Sequence, residues 1–153
     1  MKTLITAAFL LLFVSFTPAI FGQQLQQTSC VKAAYQPQID SMKSLLASHG
    51  FYLLREASMT MESAYAMPVI MSLAEGSNYY FVFIGDPASG LYEISMTDQE
   101  ERQLFYKKQE GGNVIHYNYQ PRQSENHILK PVQVNKYRPN GLCGFVMLFK
   151  KVS

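Results

Sequence analysis

The chain has 153 residues, of which 48% are hydrophobic, 13% aromatic and 16% charged, and its formal net charge is +2. This length predicts a single domain, and the apolar content is too high for an intrinsically disordered chain. The 13 Lys and Arg residues nearly balance the 11 acidic residues and form no long basic cluster. These properties exclude a nucleic-acid binder that is held mainly by phosphate neutralisation.

The N-terminal segment has the pattern of a secretory signal peptide. Lys2 supplies a positive start, residues 4–16 form an apolar run, and small Gly22 precedes a polar stretch. The run is shorter than the roughly 20 apolar residues that a membrane-spanning helix needs, so cleavage is favoured over a membrane anchor. Lipidation at Cys30 is the less favoured alternative, because Cys30 lies far from the apolar run. We expect residues 1–22 to be removed on export to the periplasm or the exterior, with no membrane span after cleavage.

Two cysteines remain after this cleavage. Residues 23–36 form a Gln-rich leader that is expected to be flexible, and residues 37–153 are expected to form one domain. In an oxidising compartment the even pair Cys30 and Cys143 favours a disulfide, which would stabilise the fold by about 4–5 kcal/mol through its long loop. The alternative is a nucleophilic Cys143, but its immediate neighbours provide no group that would stabilise a thiolate.

One amphipathic helix is predicted over residues 37–49. Pro37 suits the first helical turn, and the pair His49-Gly50 suits the end. Apolar residues recur at helical spacing between them, namely Ile39, Met42, Leu45 and Leu46. The helix is therefore expected to cover an apolar surface.

From Phe51 onward the pattern changes to short strands separated by turns about every ten residues. Seven or eight such strands predict a mainly β fold, an antiparallel, jelly-roll-like β-sandwich with the helix packed on it. Pro131 predicts that its strand lies at an edge or carries a bulge. The clearest strand segments in chain order are residues 69–73, 79–84, 91–97, 103–108, 114–119, 127–134 and 142–149.

Two of these strands are apolar on both faces. Tyr79 to Ile84 and Phe145 to Phe149 do not alternate as a strand with one solvated face should. Something must cover their second face, and the predicted helix is the available amphipathic element. A bond between Cys30 and Cys143 would tether that helix beside the last strand.

The stretch Tyr79-Tyr80-Phe81-Val82-Phe83-Ile84-Gly85-Asp86, followed by Gly90-Leu91-Tyr92-Glu93-Ile94 and Asp98, resembles a known kind of domain. It is similar to the small secreted jelly-roll sandwiches of the GOLD and pre-peptidase C-terminal types, in which an aromatic-rich strand precedes a turn, a hairpin and a short Asp-containing turn. The resemblance covers residues 79–150 and implies a non-catalytic accessory or interaction module. The N-terminal helix departs from this pattern, and no functional residue of these families is carried over.

A candidate binding face lies on the strand that contains His116, Tyr117, Asn118 and Tyr119. Alternation places His116 and Asn118 on one face and the two tyrosines on the other. Either face could bind a ligand, because a tyrosine combines an apolar ring with a hydrogen-bonding tip. The favoured interpretation is structural, with a polar outer face over an aromatic inner face.

No catalytic or metal-binding motif is present in the sequence. His49, His116 and His127 form no metal-binding pattern, His49 is expected at the helix end, and His127 beside Glu125 is expected in a solvated turn. Asp98, Glu100 and Glu101 could hold Ca²⁺, but an exposed polar turn explains them more simply. We therefore expect no cofactor, no metal and no nucleotide.

Three function classes follow from these observations. The leading one is a secreted, non-catalytic module of the cell envelope or exterior that binds a protein or a glycan through a sandwich face or an edge strand. The second is a small secreted inhibitor or envelope accessory protein that uses a protruding loop at residues 120–124. The third is a hydrolase whose site is assembled from distant residues, such as His116 and a carboxylate.

Overall fold

The computed structural model describes residue 30 and residues 32–152, which form one 3-10 helix, one α-helix and eight β-strands. The predicted signal peptide, residues 1–22, and residues 23–29 of the predicted leader lie outside the described residues. The elements in chain order are the 3-10 helix Lys32–Ala34, α1 (Gln36–Ser48), β1 (Phe51–Met61), β2 (Val69–Leu73), β3 (Tyr79–Ile84), β4 (Leu91–Thr97), β5 (Gln103–Glu110), β6 (Val114–Tyr119), β7 (Glu125–Val134) and β8 (Leu142–Lys151).

The eight strands form two antiparallel sheets of four strands each. The first sheet has the order β1-β8-β3-β6, and the second sheet has the order β2-β7-β4-β5. The pairs β1–β8, β2–β7, β3–β6 and β4–β5 are nested inside one another, so the chain resembles one long hairpin rolled over on itself. Two packed sheets with this nesting form a jelly roll, which confirms the predicted sandwich class.

The main core lies between the two sheets, where every second side chain of each strand points inward. About half of its buried residues are aromatic rings and methionines, which together with aliphatic side chains fill the space without any tryptophan. The largest fully buried side chains include Tyr92, Phe81, Phe83, Met59 and Met61.

A second core covers the outer face of the first sheet. Ile39 and Leu46 of α1 pack there with Val82, Phe145 and Phe149. This arrangement confirms that the helix covers the strands that are apolar on both faces. It also explains why β3 and β8 do not alternate, since one face of each strand meets the second sheet and the other meets the helix.

Covalent and polar contacts fix α1 to the first sheet. Cys30 and Cys143 form the predicted disulfide, with their Cα atoms 5.6 Å apart. The amide side chains of Gln38 and Asn113 exchange two hydrogen bonds, of 2.9 and 3.0 Å. The Lys43 amine of α1 forms an ion pair of 2.6 Å with the Glu56 carboxylate of β1.

The packed part of the chain begins before the predicted domain boundary at residue 37. Cys30 and Tyr35, both within the predicted leader, are buried in the core under the helix. Among the described residues, no helix combines the length and the apolar content needed to cross a membrane.

The prediction that Pro131 marks an edge or bulged strand is wrong. Strand β7 lies between β2 and β4, and Pro131 pairs with Ile94. The Pro131 carbonyl accepts a hydrogen bond of 3.1 Å from the Met67 amide, just before β2 begins at Val69. The nitrogen and the carbonyl of one strand residue point to the same side of the strand. The Pro131 nitrogen, which has no hydrogen to donate, therefore points toward the β2 side of β7, at a position that the β2–β7 ladder does not reach.

Candidate binding surface

The outer faces of the two sheets differ in what covers them. Helix α1 packs on the first sheet, whereas the outer face of the second sheet is not covered by any described helix. On β4, Tyr92, Ile94 and Met96 point into the core, so the residues between them point outward. We call the outward-pointing side chains of β2, β7, β4 and β5 the open face.

Strand register arranges the open face in cross-strand rows. Leu91 lies opposite Val134 and Glu110, and Glu93 lies opposite Val132 and Lys108. Each row combines aliphatic and charged side chains from neighbouring strands. The open face is therefore a mixed surface rather than a uniformly polar one.

Large apolar side chains project from the open face. Ile70 of β2 is 60% exposed, and Tyr106 of β5 is 50% exposed. Desolvation, followed by a hydrogen bond from the Tyr106 hydroxyl to the Glu93 carboxylate, raises the pKa of Tyr106. The Tyr106 hydroxyl is thus tied to a carboxylate of the neighbouring strand β4.

A groove of about 390 Å³ lies at one end of the open face. We call it the end groove. Tyr137, in the β7–β8 loop, is 95% exposed beside it. The lining residues come from the β3–β4 loop, the first open-face row and the start of the β7–β8 loop, namely Ala88, Gly90, Leu91, Glu110, Val134, Lys136 and Tyr137.

Buried Asn135 holds the loop that carries Tyr137. Its side-chain oxygen accepts hydrogen bonds of 2.9 Å from the backbone amides of Tyr137 and Arg138. Its side-chain nitrogen donates one of 2.9 Å to the Ala88 carbonyl on the other side of the groove. An asparagine that bonds the backbone two residues ahead is a common turn device, and here it also joins two walls of the end groove.

Behind the end groove lies a buried polar network around Asp86 and Gln133. The Gln133 oxygen accepts hydrogen bonds from the Asp86 amide at 2.8 Å and from the Ser89 hydroxyl at 3.2 Å. The Asp86 carboxylate forms an ion pair with Arg138. Burial, and then the negative charge of Asp86, raise the pKa of Tyr35, which also bonds to this carboxylate. These bonds satisfy groups whose burial would otherwise be costly, so the network is structural.

Two other surface depressions, of about 420 and 440 Å³, are lined mainly by polar side chains. The first is lined by residues 72–74, 79, 99 and 124–126, and the second by residues 75–78 and 150–152. Their large hydrophobic lining side chains, Leu73, Tyr79 and Val152, are all less exposed than Tyr137.

The four candidate residues of β6 lie on two different faces of an edge strand. His116 and Asn118 are exposed on the outer side of the first sheet, whereas Tyr117 and Tyr119 are half-buried against the main core. The Tyr117 ring stacks on Phe105 with ring centroids 3.9 Å apart. A binding role for these four residues stays a prediction.

His116 is expected to make stability depend on pH. Desolvation, and then the positive charge of Lys107, lower the pKa of His116 from its ordinary value of 6.5. The unfolded chain therefore binds this proton at a higher pH than the folded chain does. Stability should be fully present above about pH 6.5 and should fall as the pH drops from there through the folded-state pKa.

The measurement is the free energy of unfolding in urea at pH 7.5 and at pH 5.5, for the protein and for His116→Asn. The variant is expected to lose less stability between the two pH values. An equal loss in both proteins would contradict this assignment.

The prediction that His127 lies in a solvated turn is wrong, because His127 is fully buried within β7. Its Nε2 atom lies 3.2 Å from the Tyr119 hydroxyl, and its Nδ1 atom lies 3.2 Å from the Glu125 carbonyl oxygen. The imidazole thus joins an inward tyrosine of the first sheet to the second sheet. The Glu125 carboxylate oxygen lies 3.7 Å from the same Nε2 atom.

The acidic hairpin tip is organised by an arginine. Asp98 is buried and accepts hydrogen bonds from the backbone amide and the Nε atom of Arg102, at 2.8 and 2.6 Å. Glu100 also contacts Arg102, at 3.3 Å. Among the described residues, no group of three or more His, Cys, Asp or Glu side chains is arranged to hold a metal ion.

The loop at residues 120–124 lies against the β2–β3 turn. The Pro121 carbonyl accepts a hydrogen bond of 3.0 Å from the Gly76 amide, and the Ser124 hydroxyl accepts one of 2.9 Å from the Glu75 amide. Pro121 itself is buried. These bonds hold the predicted inhibitory loop close to the body of the sandwich.

Tyr137 and the end groove were not foreseen from the sequence. The local signal is Asn135 followed two residues later by an aromatic residue, just after a strand. The other lining residues come from three separate segments, and only the β7–β4–β5 register brings them together.

The strand order defines a jelly-roll β-sandwich. Helix α1 covers one outer face, and the open face, with the end groove at one end, is the other. Neither a protein-family model nor a curated protein matches the chain.

Several solved structures are similar to it. One is the pre-peptidase C-terminal domain of collagenase from Bacillus anthracis, a type that the sequence itself resembles, with 13% identity, a TM-score of 0.48, and coverage of 63% of this chain and 89% of that one. Another, described as CBM4, has 11% identity, a TM-score of 0.38, and coverage of 68% and 76%. The lectin domain of lectinolysin complexed with Lewis B antigen has 5% identity, a TM-score of 0.36, and coverage of 64% and 72%.

Proposed function

We propose that this chain is a secreted, non-catalytic module of the cell envelope or exterior that binds a protein or a glycan through its open face. The observation that carries the proposal is the difference between the two outer faces. One is sealed by α1, whereas the other presents Ile70 and Tyr106 to solvent. These two side chains lie on β2 and β5, the edge strands of the second sheet, and flank the mixed aliphatic and charged rows between them; exposed aromatic residues are enriched at recognition sites.

Two further features support this function. The disulfide between Cys30 and Cys143 suits the oxidising compartment that export would reach. The His116 ring stacks on Tyr80, and the His127 ring packs edge-on against Tyr119. Both histidines therefore have a packing role.

The test compares two charge substitutions on opposite sides of the sandwich. Ile70→Glu places a carboxylate on the open face, and Leu45→Glu places one on α1, at a position that is 51% exposed. Both sites are solvated, so neither change should alter the free energy of unfolding by more than about 0.5 kcal/mol.

A ligand captured by the immobilised protein from envelope or extracellular extracts is purified and titrated against both variants by calorimetry. We expect Ile70→Glu to weaken binding at least about tenfold, equivalent to about 1.4 kcal/mol, and Leu45→Glu to bind as the unchanged protein does. Equal binding by both variants would contradict the proposed surface.

A further inference from the structure

The end groove has the features of a small-ligand site, and we infer that it binds one sugar ring of a neutral glycan, stacked on Tyr137. This inference rests on the proposed function and names the ligand class at one end of the open face. The groove volume of about 390 Å³ lies at the small end of the range for small-molecule sites, about 300–1,000 Å³. It suits one ring of an oligosaccharide better than an extended peptide strand.

The side chains of the groove match the two surfaces of a sugar ring. The Tyr137 ring is 95% exposed, and Leu91 and Val134 provide an aliphatic wall. A pyranose has an apolar face of C–H groups that packs against such a ring, and its hydroxyl groups lie around the edge. An aromatic platform next to a few placed polar groups is how small-molecule sites combine affinity with orientation.

Two opposite charges flank the groove. Glu110 and Lys136 both line it, and within the described part of the chain neither side chain takes part in a hydrogen bond or ion pair. Glu110 can accept a hydrogen bond from a hydroxyl group, and Lys136 can donate one. Because the two charges cancel, the groove favours a neutral polyol over an anion or a cation.

Backbone hydrogen bonds hold the groove in shape before any ligand binds. The Gly90 amide donates to the Val134 carbonyl at 3.0 Å, and the Gly111 amide donates to the Gly90 carbonyl at 3.4 Å. Asn135 holds the backbone amide of Tyr137 on one side and the carbonyl of Ala88 on the other. A backbone frame that is already rigid loses little entropy on binding.

The experiment uses the isotope-labelled protein and five neutral hexasaccharides, built from glucose, xylose, mannose, galactose or N-acetylglucosamine. Backbone amide shifts are followed by NMR during each titration. We expect at least one sugar to shift the amides of Gly90, Lys136 and Tyr137. Tyr137→Ala should then weaken binding of that sugar at least about tenfold.

A second variant and a control separate binding from folding. A Cβ on Gly90 meets no atom within 4 Å, and Gly90 lines the groove, so the two methyl groups of Gly90→Val should narrow the groove and weaken binding at least about tenfold. Tyr65→Ala removes a ring that is 69% exposed elsewhere and should bind normally.

The inference is overturned if none of the five sugars shifts the groove amides, or if both groove variants bind as the unchanged protein does. A ligand that is lost in Ile70→Glu but kept in Tyr137→Ala would overturn the sugar site while leaving the proposed function intact.

Discussion

Replacing Cys30 and Cys143 together with alanine is expected to lower the free energy of unfolding by about 4 kcal/mol. The bond closes a loop with a sequence separation of 113, and a cross-link over such a loop restricts the unfolded chain by about 4–5 kcal/mol in the chain-entropy model. Urea denaturation of the oxidised protein, the reduced protein and the double variant measures this effect.

Reduced protein and double variant should lose similar stability, because both lack the cross-link, although the variant also lacks the two sulfur atoms. Ile39→Ala is the control for loss of helix packing, since Ile39 lies on the buried face of α1 and its replacement leaves the disulfide intact. If the double variant loses less than about 1 kcal/mol of its free energy of unfolding, the entropic role of the bond is contradicted.

Gly85→Ala is expected to lower the free energy of unfolding by about 2–3 kcal/mol, the usual range for overpacking a filled core. A Cβ at this position would lie 2.6 Å from two ring carbons of Tyr92 and 3.0 Å from the Gln133 side-chain oxygen. The Tyr92 hydroxyl lies 2.6 and 2.7 Å from the carbonyl oxygens of Asp86 and Ser89. These bonds prevent the ring from moving aside cheaply.

Gly90→Ala is the matched control, because it makes the same change in the same loop where the new methyl group meets no atom within 4 Å. Its effect should stay within about 0.5 kcal/mol. Urea denaturation and thermal melting compare the two variants, and similar values for both would show that the Tyr92 contact carries no strain.

The sequence predicted the class of fold and most strand ends because turn residues mark them. The segments 69–73, 79–84, 91–97 and 114–119 match β2, β3, β4 and β6. Turn residues mark the strand ends: Gly85-Asp86 follows the end of β3, and Gly111-Gly112 lies between β5 and β6. Nothing local specifies which strands pair, so the nested order became visible only in the structure.

The errors arose where local composition and strand context disagree. His127 follows Glu125 and Asn126, which are typical of a turn, yet the inward positions of β7 begin at His127 and recur at every second residue. Pro131 is tolerated in a central strand because β2 begins at Val69, opposite Leu129, and does not extend to Pro131. Both outcomes depend on a neighbouring strand that is distant in sequence.

The open face could be expected in outline, whereas the end groove could not. Alternation along β4 and β7 predicts outward residues such as Glu93 and Val132. The approach of Tyr137 to Leu91 and Glu110 depends on the β3–β4 and β7–β8 loops meeting at one end of the sandwich. A binding role for His116, Tyr117, Asn118 and Tyr119 stays a prediction, which the alanine variants of Tyr117 and Tyr119 would test by binding and melting together.

The nested pairing of the strands also constrains when this protein can fold. Strand β1 pairs along its length with β8, and the disulfide joins residues near both ends of the domain. Such a topology has high contact order, and folding of this kind is slow. A ribosome that still holds the last strand therefore keeps the first sheet open at the position of β8. Completion of the fold and of the native disulfide must both wait until β8 is released.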